Sequence, residues 1–367
     1  VMYRSVAVAS LRSIASETTF KAIAVVGLLN MLVVAWYAAE VGQRQRVWPI
    51  ASVMAPAVAG GLGLVLIVLV TLYAGELVWR ERQQRTDQTY DALPVPLGVT
   101  ILGKLTGLVL VLLAYVGLAI VAGIAMAAIQ GHFRVELGTY LAIVYGTWLV
   151  TVVALACVAV AVHAVVNQKF LGHAVVIGWF VLTQVAIFLG FTDRLLRFGN
   201  PAPFEYSDMN GFGPFLPRMG VLAGYQLAVA VVLLAVAAVF WLRGTADDWT
   251  SRRRTAATRL RMPGVRGALA LGLAGAAGFG GFYEYNTRVL NLAGSVKSAE
   301  AKQAAFERRY KPFEEMAQPR VVAIDVALDF FPERRAAAWR GAMTAVNRPD
   351  RPTDSLYVRL PAVDVRP

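Results

Sequence analysis

The sequence predicts an all-α polytopic membrane bundle of about seven transmembrane helices, followed by the start of an extracytoplasmic antiparallel β-sandwich. Three observations carry that prediction. Hydrophobic residues make up 57% of the 367-residue chain and charged residues only 16%, against roughly 25% charged in an ordinary soluble domain. The apolar residues gather into runs near or above the ~20 residues needed to cross ~30 Å of hydrocarbon. Beyond Glu284 the pattern changes, first to a charged, Ala-rich stretch and then to segments alternating at period two.

In chain order, residues 1–19 carry Arg4 and Arg12, are too polar to span, and read as an interfacial lead-in helix. The expected spans are Phe20 to Glu40, Ala51 to Trp79, Leu105 to Ile129, Leu137 to Val166, His173 to Phe191, Met219 to Leu242 and Val265 to Tyr283. The seventh is short and rich in Gly and Ala, which suits close helix packing in lipid. Between the fifth and sixth, FGNPAPFEYSDMNGFGPFLPR is dense in Gly, Pro and aromatics, a composition of ordered turns, expected to cap one mouth of the bundle. Tyr285 to Lys311 reads as a helix leaving the membrane. RVVAIDVALDFFP (Arg320 to Pro332) then sets Ile324, Val326, Leu328 and Phe330 on one face with Asp325 and Asp329 opposite, the pattern of a half-buried antiparallel strand. Further strands are expected at Ala336 to Asn347 and Ser355 to Leu360. The domains so read are a permease-like bundle over 1–283, a helical linker over 284–319 and the sandwich segment over 320–367.

Charge orients the bundle. With a cytoplasmic N-terminus, the inner segments hold fifteen Lys and Arg, seven of them between Arg243 and Arg266. The outer segments hold six: Arg44, Arg46, Arg134, Arg194, Arg197 and Arg218. That is the positive-inside bias, and seven crossings then place the C-terminal segment outside, as expected for a multi-pass protein of a bacterial inner membrane. The formal charge of +12 is accordingly read as topology, with the lipid bilayer and not nucleic acid as its partner. The basic run SRRRTAATRLR between the last two spans reads as a topology anchor, or as a contact with anionic lipid at ~1 kcal/mol per basic residue.

The segment from Tyr73 to Lys104, YAGELVWRERQQRTDQTYDALPVPLGVTILGK, joins the second and third spans. It is too long for a tight hairpin and too short for a domain. Its mixed charges, Glu76, Arg80, Glu81, Arg82, Arg85 and Asp91, with Pro94 and Pro96 closing it, suit a specific cytoplasmic partner. The same charges would also serve to set topology, and the residues alone leave both readings open.

No catalytic, cofactor or metal-binding residue emerges. His132, His163 and His173 match no zinc-ligand spacing, there is no GxxxxGK[ST] phosphate loop and no GxSxG elbow. Cys157 is the single cysteine and lies in an apolar run, so no disulfide framework is possible. Acidic residues are nearly absent from the spans, which counts against an ion-coupled carrier and fits a pathway driven from outside the chain.

The connector GELVWRERQQRTDQTYDALPVP followed by Lys104 resembles the corresponding segment of type-2 ABC exporter permeases. YSDMNGFG (206–213), YNTRVLN (285–291), RRYKPFEEMAQPR (308–320), VVAIDVALDFFPERR and GAMTAVNR together resemble bacterial permeases fused to an aminopeptidase N-type zinc metallopeptidase. The resemblance implies an ABC ATPase subunit docking on the connector through Glu76, Arg80, Glu81, Arg82, Arg85, Asp91, Pro94 and Pro96, and a second permease half or homodimer. ATP would be bound by the partner, and zinc by a peptidase portion beyond this chain. The strands after Pro319 would open the peptidase's sandwich. The family's His-Glu-x-x-His helix and downstream Glu ligand are absent from these residues, so the chain is expected to be a piece of a longer protein and not a peptidase by itself. The alternative reading is a membrane anchor for that external aminopeptidase.

Overall fold

A computed structural model describes residues 1–38, 40–41, 45–191, 193–213, 215–244, 248–291, 296–314, 316, 318–334 and 336–347. The chain divides into two units, Val1–Val296 and Lys297–Pro367. In the first, helix α1 (Met2–Ser16) leads to α2 (Thr18–Ala38), and a two-residue ribbon pairs β1 (Glu40–Val41) with β2 (Gln45–Arg46). Then come α3 (Ala51–Gly60), α4 (Gly63–Gln83), α5 (Asp87–Ala92), α6 (Leu97–Ile129), α7 (Leu137–Val166) and α8 (Lys169–Phe188). The unit closes with α9 (Phe215–Phe240), α10 (Trp249–Leu260) and α11 (Pro263–Glu284), which continues as a π-helical turn over Tyr285–Leu290. Among the described residues seven helices are long and apolar enough to cross a membrane: α2, α4, α6, α7, α8, α9 and α11 with its π-turn. This is a multi-pass membrane protein.

The expected second span, Ala51 to Trp79, is not one helix. It breaks at Gly60–Gly61 into α3, which contains Pro56, and α4. Proline removes an N–H and glycine is a poor helix former, so the run loses its ladder there although it stays apolar. A broken helix at membrane depth requires its freed carbonyls to be satisfied by protein. Both are: Asn30 of α2 donates to the Gly61 carbonyl at 3.0 Å, and the Trp148 indole of α7 donates to the Ala59 carbonyl at 2.9 Å. The other spans shift by a few residues. The largest change is at α6, which starts eight residues before the expected Leu105 and takes Lys104 into the helix.

The core lies where α3, α4, α6 and α7 meet, with Leu66, Leu69, Leu108, Leu112 and Ile143 fully buried. The lead-in helix α1 packs along α6 through a notch: a Cβ at Gly107 would stand 2.6 Å from that of Ser10 and 2.7 Å from the Ala7 carbonyl. The Gly/Ala-rich α11 lies on α9 in the same way, with Gly272 against the Ala228 carbonyl. At the bundle end away from the connector, the aromatic loop folds on itself. Phe204 and Tyr206 pack edge-on to Phe212, and Ser207 pairs with Gly211. Asp208 accepts from Ser52 of α3, and Gln226 of α9 donates to the Asn200 carbonyl. The loop is thereby tied to α3 and α9.

In the second unit, α12 (Val296–Tyr310) precedes an antiparallel hairpin of β3 (Arg320–Phe331) and β4 (Ala336–Val346). The register places Ile324, Val326, Leu328 and Phe330 opposite Met343, Gly341, Trp339 and Ala337. Asp325 and Asp329 share the other face with Arg340, on the diagonal where opposite charges meet. The alternation is as expected, but the burial is not: every residue of both strands is exposed, Leu328 at 61% and Trp339 at 66%. Two strands form a ribbon with both faces open, so alternation alone buries nothing. The expected third strand, Ser355 to Leu360, lies outside the described residues.

Candidate functional site

The site is built at the end of the bundle where α4, α5 and α6 meet. α4 stops at Gln83 in a two-bond cap: the Thr86 N–H reaches the Glu81 carbonyl at 2.8 Å and the Arg85 N–H that of Arg82 at 3.1 Å. That geometry needs a left-handed residue, normally glycine, and here Arg85 adopts it at φ 53°. The six-residue α5 follows, then an extended strut. Leu93 precedes proline and is held extended (ψ 142°), Pro94 sits in a turn closed by Val95 N–H to Leu93 carbonyl at 2.7 Å, and Pro96 starts α6. Two prolines stiffen this exit.

Most of the connector charges turn inward. Lys104, 6% exposed, donates to Glu81 Oε2 and to the Leu77 carbonyl, both at 2.6 Å, and its ammonium lies 5.6 Å from the Trp241 ring centre and 5.7 Å from that of Tyr90. Glu76 pairs with Lys169 of α8 at 2.6 Å, and Lys169 also reaches Gln83 at 3.0 Å. Arg80 pairs with Glu17, in the α1–α2 joint, at 3.0 Å. Arg82 donates to the Gly244 carbonyl at 3.4 Å. These side chains are only partly exposed, so the pairs are more than the fully solvated kind that contributes little.

A second device clamps α5 from the far side. Arg243, just past α9, donates to the carbonyls of Asp91, Leu93 and Val95 at 2.8–3.3 Å. The Gly244 N–H meets Asp91 Oδ2 at 2.7 Å. The planar guanidinium fork suits this multiple capture. α10 holds the same region from behind: Arg252, 7% exposed, donates to the Ala164 and Val165 carbonyls at the end of α7. Arg259 donates to the carbonyls of Ala238, Val239 and Trp241 at the end of α9. Burial, reinforced by the nearby Arg243 guanidinium, pushes Arg259 below its ordinary pKa. Cations at helix C-termini satisfy orphan carbonyls and oppose the negative dipole end. Two basic residues of the SRRRTAATRLR run thus cap helices, a role the sequence reading did not assign.

The outward side of the connector is Arg85, Gln88, Thr89, Ala92, Leu93, Pro94 and Pro96, all exposed. The structure therefore gathers the sequence-predicted residues but sorts them. Glu76, Arg80, Glu81, Arg82 and Asp91 hold the connector to the bundle; Arg85, Pro94 and Pro96 face out. Glu17, Lys169 and Arg243 were missed, because each comes from a distant part of the chain. The one local signal was a basic residue at an apolar helix end.

His163 and His173 also meet, edge to face with centroids 4.8 Å apart. His173 Nδ1 lies 3.0 Å from the Thr71 carbonyl, and the fully buried His163 ring fits between Gly75 and Gly172. Neither nitrogen of His163 has a hydrogen-bond partner among the described residues. This packing bolts α4, α7 and α8 together behind the connector.

A scan against protein-family models and a search of curated proteins find no match to the chain.

Proposed function

We propose that the chain is the membrane-spanning permease component of an ABC-type exporter, driven by a separate ATPase subunit that docks on the outward side of the connector. The observation that carries this reading is the division of labour in residues 76–104. The inner charges are held by ion pairs and by the Arg243 clamp, while the outer face has no ion pair among the described residues and centres on a strained arginine. Non-glycine residues in the left-handed region cost ~1 kcal/mol or more, and such outliers concentrate at functional positions. A push on α5 would pass to α6 through the Pro94–Pro96 strut and to α9 through Arg243. The two-site linkage gives a partner's stroke purchase on two spans at once. In this reading the N-terminus and connector are cytoplasmic, the C-terminal segment is extracytoplasmic, the membrane is the bacterial inner membrane, and a second half or second copy completes the pathway. ATP belongs to the partner.

The test is purification from the native membrane in mild detergent with identification of bound proteins. A stoichiometric ATPase is the expected result; a protein that purifies intact with none would overturn the proposal.

A second reading is favoured by the hairpin. Ile324, Val326, Leu328, Phe330, Trp339 and Met343 form one contiguous apolar face, each at least half exposed. Exposed apolar patches of this kind mark contact surfaces, and further strands of an extracytoplasmic sandwich would cover it. The bundle would then also anchor an external zinc aminopeptidase. Zinc-dependent release of N-terminal residues from peptides by the complete gene product is the corresponding assay.

A further inference from the structure

Away from the connector, the N-terminal end of α9 and the C-terminal end of α11 flank an open cavity of about 480 Å³, within the range of ligand sites. Its lining is mixed, with Val221 and Phe282 apolar and Arg218, Tyr283, Asn286 and Thr287 polar. Arg218 donates to the Tyr283 hydroxyl at 3.4 Å. Arg194 and Arg197 stand at the same end, the Arg197 N–H bonding the Arg194 carbonyl, and the buried Arg197 Nε has no hydrogen-bond partner among the described residues.

Two carboxylates of this end, Asp193 and Glu284, both pair with Arg288, each at 2.5 Å. Arg194, Arg197 and Arg218 have no ion pair among the described residues, and Arg197 and Arg218 are close enough to act on Arg194: burial first, then these two cations, push its guanidinium pKa down. Arg218 also lies in the first turn of α9, where the helix dipole is positive and repels a cation. Arg218 and a positive helix end at an open cavity, with Arg194 and Arg197 adding positive charge at the same end of the bundle, are arranged for an anion, and planar forked donors match phosphate oxygens. α9 and α11 both span, so this end lies at a membrane boundary, where phosphate is abundant.

We propose that this cavity is a binding site for a phosphate-bearing anion, held by Arg218 with Arg194 and Arg197 adding positive charge nearby, its apolar residues admitting the adjoining carbon chain. The proposal is independent of the transport reading. It is tested by thermal unfolding of the purified chain in an uncharged detergent, titrated separately with short-chain phosphatidylglycerol, with phosphatidylcholine of equal chain length and with inorganic phosphate. Saturable stabilisation by phosphatidylglycerol but not phosphatidylcholine identifies a lipid headgroup. Saturation by inorganic phosphate as well identifies a soluble anion. In either case R218Q, a change at an exposed side chain, should weaken half-saturation ~tenfold, the loss of one charge-assisted contact; R194Q/R197Q should weaken it further, and R134Q should leave it unchanged. Equal responses to both lipids with none to phosphate, or R218Q binding like the parent, would overturn it.

Discussion

The two ends of the bundle treat charge in opposite ways. At the connector, carboxylates and cations from the α1–α2 joint, α4, α6 and α8 are matched at 2.6–3.0 Å, and a clamp from beyond α9 holds the intervening backbone. At the other end, Arg194, Arg197 and Arg218 have no ion pair among the described residues, while Asp193 and Glu284 both go to Arg288. Matched charges in partly buried positions fix geometry, because removing one partner strands the other. Unmatched charges cost the free protein stability and leave room for a partner that supplies the opposite sign. What differs between the two regions is the pairing.

Breaking that pairing at the connector should have the largest effect. K104M leaves Glu81 without its cation and the Leu77 carbonyl without its donor, and should cost about 3 kcal/mol. E81L/K104M, which removes both charges, should recover most of that, and a double-mutant cycle by thermal unfolding measures the coupling. Next, R243A deletes the fork onto Asp91, Leu93 and Val95 and should cost about 2 kcal/mol. Its signature is local: faster proteolysis between Gln84 and Pro96 than elsewhere, with R243K failing to restore protection because an ammonium cannot span three carbonyls. Smaller again, W148F keeps an aromatic side chain but removes the indole donor to the Ala59 carbonyl at the α3–α4 break, leaving it the Leu62 N–H at 3.3 Å, and should cost about 1 kcal/mol.

These expectations also mark what the sequence made legible. The spans were readable because ~20 apolar residues have one stable use in lipid. The break at Gly60–Gly61 was not, since hydropathy runs straight through it and its sealants, Asn30 and Trp148, come from other helices. The hairpin's alternation and polarity were readable from period two, while the openness of both faces was not. The connector was recognisable as a charged element between spans. Its inward and outward faces were indistinguishable, because the sorting depends on Glu17, Lys104, Lys169 and Arg243. Their distance along the chain from Arg80, Glu81, Glu76 and Asp91 leaves no local period. Arg85 was singled out for its charge, yet its informative property is a backbone angle that composition does not encode.

That angle supplies the most direct test of the docking account. R85G removes the outward-facing charge and relieves the left-handed strain in the α4 cap, so the variant should be up to ~1 kcal/mol more stable. Measured together, thermal unfolding and retention of the ATPase subunit through purification separate the two readings of this residue. The account predicts a protein that melts higher and has lost its ATPase. A variant that melts higher and keeps the ATPase at full stoichiometry would contradict it, and would leave Arg85 as a topology-setting charge alone.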